Sequence, residues 1–179
     1  MKSLSDLLTE HKDDIVDGWL ERVLASYHTD TAHFLKRENN RFANPVGNAL
    51  RAGTQTIFES LLGGLDSERV CSQLDEMIKI RAVQDLSPSR AISFVFDLKK
   101  VVRSVLQKEL TAPALQLELE VFESRVDQVA LFAFDIFVRC REQLYELRVD
   151  EVKRSVSTVF KRLERSGSRT EKAGQAGRA

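Results

Sequence analysis

Proline and glycine are scarce in this chain. Three prolines and eight glycines in 179 residues leave few points where a helix must stop, and those points coincide with breaks in the apolar periodicity. Strand alternation is also scarce, while helical spacing recurs almost throughout, so the expected fold class is all-α. The two cysteines, Cys71 and Cys140, lie in apolar helical patterns away from any histidine. That excludes a cysteine-histidine metal site and suggests two reduced, buried thiols in a cytoplasmic protein. The three histidines, His11, His28 and His33, follow no ligating spacing, and HExxH, CxxC and EF-hand patterns are missing. No metal and no cofactor is expected.

Charge of one sign is not in excess either. Lysine plus arginine and aspartate plus glutamate number 27 each, without the basic surplus that marks a nucleic-acid binder. The longest apolar run, Val129–Phe134, is too short to cross a bilayer. Asp6, Glu10, Asp13 and Asp14 argue against an N-terminal signal peptide. Neither nucleic acid nor membrane is therefore expected as a partner. The nucleophile elbow and the P-loop are missing, and no Ser-His-Asp arrangement is evident, so the chain is expected to be non-enzymatic.

What is present is a succession of amphipathic helices with clear punctuation. Ile15, Val16, Trp19, Leu20, Val23, Leu24 and Tyr27 trace one helical face. Asn44 and Pro45 read as cap and first residue of the next long helix, which Gly63 and Gly64 end. A helix with Val70, Leu74, Met77 and Ile78 inside should stop near Asp85. Ser87 and Pro88 then form a corner, because the residue before a proline is pushed out of the helical region. One helix is expected from Pro88 to before Pro113.

Residues 114–164 contain no glycine and no proline, enough for a helix of about 75 Å. Leu115, Leu119, Phe122, Val126, Val129, Ala133, Ile136, Cys140, Gln143 and Leu147 alternate spacings of four and three. A second seam, Tyr145, Val149, Val152, Val156, Val159 and Leu163, follows two residues out of register with it. At about 100° per residue that is roughly 200° around the helix. The first seam should pack on the chain's own bundle, and the second should bind a second copy or a partner. The stretch "VALFAFDIFV" between them should be covered on both sides. Residues 1–164 are read as one helical domain, with 145–164 as a coiled-coil-like extension. Residues 165–179, which lose apolar periodicity, are read as a flexible tail.

Arg81 falls on the apolar face of its helix and needs a partner there. Asp127 and Asp135 are the candidates, and Asp135, Arg139 and Glu142 share one face. The set Arg81, Asp127, Asp135, Arg139 and Glu142 is thus a candidate buried ion-pair switch. A pocket inside the bundle near Trp19, Phe42 and Phe58 is the alternative functional reading, a small-molecule or cofactor binder. For haem, His11 would be the best-placed ligand.

The stretches "FANPVGNAL" at 42–50, "IRAVQDLSPSRAISFVFDLKKVVR" at 80–103 and "RVDQVALFAFDIFVRCREQLYELRVDEVKR" at 125–154, with Trp19 early in the first long helix, resemble the N-terminal domain of RsbR and RsbRD proteins, co-antagonists of the stress-signalling kinase RsbT. The resemblance implies a globin-like sensory bundle without haem, generally dimeric, whose last helix leads to an output domain. With only a short tail after it, the chain is expected to be a stand-alone homodimeric sensor that signals through an unidentified protein partner. The resemblance brings no catalytic residues.

Overall fold

The computed structural model describes residues 2–27, 32, 33, 35, 36, 43–84 and 86–176, except for the side chains of 159 and 161–176. Phe34, Phe42, His28 and Asp85, and the side chains of Val159 and Leu163, lie outside the described residues. Among the described residues every regular element is helical: α1 (Leu4–Glu10), α2 (Lys12–Ala25), α3 (Pro45–Leu62), α4 (Ser67–Ala82), α5 (Pro88–Ile92), α6 (Phe94–Val105) and α7 (Pro113–Ala176). The all-α class is as the periodicity predicts. None of these helices is long and apolar enough to cross a membrane.

The helix ends follow local chemistry. Ser3 and Asp6 form a capping box on α1, with Ser3 Oγ accepting from the Asp6 N–H at 3.2 Å and the Asp6 carboxylate accepting from the Ser3 N–H at 3.0 Å. Asn44 caps α3 by accepting from the Gly47 N–H at 2.8 Å, and Pro45 takes the first helical position. Gly64 turns the chain at φ +105° after α3, a conformation costly for other residues. Asp66 caps α4 by accepting from the Arg69 N–H at 3.1 Å.

Two expected boundaries differ. First, α4 stops at Ala82, before Asp85. Second, the helix beginning at Pro88 breaks at Ser93. The Arg90 carbonyl accepts from Ser93 Oγ at 3.1 Å and from the Arg81 guanidinium at 3.3 Å. The Trp19 indole donates to the Phe94 carbonyl at 2.7 Å. Side chains from distant elements thus take up carbonyls at the break, information that a helical repeat does not contain. Ser87 stands at the N-cap position but makes no capping bond from its side chain; its hydroxyl pairs with that of Ser89 at 3.2 Å.

The chain divides into two compact units, Met1–Cys140 and Arg141–Ala179. In the first, α2 packs against α3 and α6, and α4 lies along α3. Gly53 permits that last contact, since a Cβ there would collide with the Met77 thioether. The first seam of α7 completes the core. Leu119, Val126, Val129 and Ala133 have no exposed surface, and Leu115, Phe122, Ile136 and Cys140 are also buried, but the last two members of the expected seam, Gln143 and Leu147, fall beyond the first unit and are exposed. Phe122 meets the Phe58 ring edge-on at 6.4 Å between centroids. Arg125 donates to the Leu61 carbonyl at 3.1 Å, and Lys99 and Arg103 on α6 pair with Asp127 and Glu123 at 2.6 Å each. The second unit is a single helical segment. Its backbone is helical to Ala176, where composition predicts a flexible tail from 165; only Gly167 and Gly174 interrupt its helix-compatible residues, and proline is absent.

Candidate functional site: two apolar faces and a buried arginine

The outward face of α7 departs most from an ordinary surface. In the second unit Tyr145, Val149, Val152 and Val156 are 52, 50, 62 and 47% exposed. Phe160, beside the same seam, is also exposed. Arg141 donates to the Tyr145 hydroxyl at 2.9 Å and lies 5.2 Å from the ring centroid, fixing the first member of the row. In the first unit Leu131, Phe134 and Val138 are exposed, so one side of "VALFAFDIFV" is covered and the other is open. Cover on both sides is what the sequence leads one to expect there; along the chain Leu131, Val138, Tyr145 and Val152 follow at intervals of seven.

The second feature is the joint between α4 and α5. Arg81 is 1% exposed. Its Nη1 and Nη2 both donate to Ser26 Oγ, each at 3.1 Å, and Nη2 also donates to the Arg90 carbonyl at 3.3 Å. The guanidinium carbon lies 5.2 Å from the centroid of Tyr27 and 5.0 Å from that of Phe94, where ring faces attract a cation. Arg81 Nε is buried without a hydrogen-bond partner, and the Tyr27 hydroxyl, buried beside the guanidinium, has at most a weak contact with it. Burial pushes the Tyr27 phenol above its ordinary value, and the positive charge of Arg81 offsets part of that rise.

The expected pairing of Arg81 with Asp127 or Asp135 is not what the structure has. Asp127 is engaged by Lys99, and Asp135, Arg139 and Glu142 are exposed. Helical periodicity identifies an inward face but not the neighbour it meets. Arg81 meets the end of α2 and the start of α5 instead of α7.

Beside Arg81 lies an open cavity of about 510 Å³ lined by Ser26, Tyr27, Gln84, Arg90 and Ser93, among others. A smaller cleft of about 220 Å³ lies between α1, α3 and α7, where Glu118 accepts from the Leu4 N–H at 2.7 Å. Trp19 and Phe58 line neither of the two. Both are fully buried, Trp19 stacking on Phe94 at 6.5 Å between centroids and 19° between planes. His11 sits at the turn between α1 and α2, partly exposed and 3.8 Å from the Asp14 carboxylate. Cys140 is buried and Cys71 partly so; burial raises both thiols above their ordinary value. Among the described residues no group of three His, Cys, Asp or Glu side chains could hold a metal ion.

The family model of the RsbT co-antagonist protein rsbRD N-terminal domain matches residues 13–152. No curated protein and no solved structure gives a match. The matched span covers the first two stretches that carry the resemblance and all but the last two residues of the third, and the chain belongs to this family of stress-signalling sensory domains, which is not a known enzyme family.

Proposed function

We propose that the chain is a non-enzymatic regulatory domain of the cytoplasm that works as a homodimer, joining a second copy through the outward seam of α7 and passing a stress signal to a protein partner. One observation carries this reading: Tyr145, Val149, Val152 and Val156 repeat at spacings of four and three and are about half exposed. That spacing is the one by which helices interlock. A second copy presents the same row, so the surface is complementary to itself about a two-fold axis. Leu131, Phe134 and Val138, also exposed, are further apolar surface for the same kind of contact. Family membership supports the signalling role, since a co-antagonist acts with other proteins.

In a parallel pair, with the two-fold axis running along the seam, each seam residue meets its own counterpart, and cross-linking detects this directly. In the full chain, Val152→Cys is expected to form a disulfide-linked dimer under mild oxidation. Lys153→Cys, one position off the seam, should cross-link far more slowly. Equal rates for the two variants would count against the pairing. Burial raises both native thiols above their ordinary value, which slows their oxidation relative to that of an exposed cysteine on the seam. The other reading, a small-molecule binder, is favoured by the cavity beside Arg81.

A further inference from the structure

We infer that the cavity beside Arg81 is a binding site for a small oxyanion, a carboxylate or phosphate group carried on a small molecule, held between Arg81 and Arg90. The inference stands on the unit Met1–Cys140 alone and does not depend on whether two copies pair.

A guanidinium has five N–H donors. Three of those on Arg81 are used, two of them on the single oxygen of Ser26 and one on a carbonyl. Both acceptors are neutral, and the Nε–H has none. The rings of Tyr27 and Phe94, and the negative end of α4, in whose last turn Arg81 stands, supply partial negative charge. None of these is a counter-ion. Among the described residues no carboxylate lies within ion-pair distance of Arg81. A buried cation in that condition is costly for the fold alone, and a well-packed apolar residue would avoid the cost.

The surroundings fit an anion. Arg90 brings a second positive charge to the rim, exposed and free of any ion pair among the described residues. The Ser26 and Ser93 hydroxyls and the Gln84 amide also line the cavity, and no acid is among its described lining residues. The Tyr27 hydroxyl, buried beside the Arg81 guanidinium, still has its own proton to donate. At about 510 Å³ the cavity falls within the usual range for small ligands, about 300–1,000 Å³. Guanidinium groups match the paired oxygens of carboxylates and phosphates. Ser26, Arg81, Arg90 and Ser93 come from the end of α2, the end of α4, α5 and the break before α6, so one anion would tie three elements at the joint.

The molecule carries its own reporter. Trp19, the only tryptophan, stacks on Phe94 and donates to its carbonyl, and Arg81 lies against the other ring contact of Phe94. The test titrates the full chain with inorganic phosphate and, separately, with succinate, at constant ionic strength set by sodium chloride, reading heat and Trp19 emission. One of the two probes should bind saturably, one per chain, with a change in emission, and which one does so distinguishes phosphate from carboxylate. Arg81→Met should abolish the binding and Arg90→Gln should weaken it about tenfold. Arg69→Gln, a remote arginine paired with Glu59, should leave it unchanged. If Arg81→Met does not fold, Arg90→Gln and Tyr27→Phe carry the comparison against Arg69→Gln. Failure of both probes to saturate, or equal binding by the wild type and the Arg90 variant, overturns the inference.

Discussion

Replacing Val152 and Val156 together by aspartate separates the paired from the single chain. The two side chains are 62 and 47% exposed, so pairing has about half of each valine left to bury, worth about 1 kcal/mol per side chain. Counting Tyr145, Val149 and Phe160 as well, at 50–60% exposure, the gross gain over two copies is about 10–15 kcal/mol. Association itself costs about 4–15 kcal/mol; with that cost at its low end the net gain is about 6–11 kcal/mol, a range that includes micromolar affinity at about 8 kcal/mol and is sensitive to single residues. Each aspartate removes its share of burial and places a carboxylate opposite its own counterpart. Two such changes in two copies cost about 4–6 kcal/mol, a weakening of about a thousandfold or more. Sedimentation velocity of the full chain between about 1 and 100 μM resolves that range. The wild type should pass from monomer to dimer across it, and the double variant should remain monomeric with unchanged far-ultraviolet circular dichroism. A wild type that stays monomeric at the top of the range, or a variant that dimerises as well as the wild type, refutes the reasoning.

Further expectations concern the first unit. Asn44→Ala removes the α3 cap and also the bond that Asn44 Nδ2 donates to the Leu35 carbonyl at 2.9 Å; urea unfolding should show a loss of about 2 kcal/mol. Trp19→Phe deletes the 2.7 Å bond to the Phe94 carbonyl and leaves a small void, together about 2 kcal/mol by the same measurement; a change below half of that would show that the α5–α6 break does not depend on the indole. Glu59 is held below its ordinary 4.5, first by the hydrogen bond from Lys12 and then by that from Gln55. A lowered carboxyl pKa adds stability that is present above the unfolded value and is lost as pH falls through the folded one. The urea midpoint should therefore drop below pH 4.5, and Glu59→Gln should lessen that drop. Burial raises both cysteine thiols, so a thiol-disulfide reagent at neutral pH should label the native chain slowly and the urea-unfolded chain fast.

Residues whose role is settled within a few neighbours were legible in the sequence. Asn44 and Pro45 start α3, and Gly63 and Gly64 end it, because a capping oxygen, a missing N–H and a left-handed turn are local requirements. The inner seam of α7 from Leu115 to Cys140 was legible for a related reason. Its spacing repeats often enough that one face alone can be buried, and the eight members as far as Cys140 are, whereas Gln143 and Leu147, which continue the spacing, are exposed because the bundle ends before them. The row that starts at Tyr145 was legible as apolar, and its described members Tyr145, Val149, Val152 and Val156 are exposed.

What the sequence did not reveal required knowing which helix ends meet. The break at Ser93 depends on Arg81 reaching the Arg90 carbonyl and on Trp19, 75 residues from Phe94, reaching that residue's carbonyl. Periodicity placed Arg81 inside, correctly, but no spacing rule could say that its neighbours would be a serine, a carbonyl and two rings in place of a carboxylate. The assumption that a buried charge must have found an opposite charge within the chain was the misleading step. A fold kept only for stability has little reason to retain a cation so poorly matched. Its retention at the joint of α2, α4 and α5, with an open cavity beside it, is better explained by an opposite charge that arrives from outside.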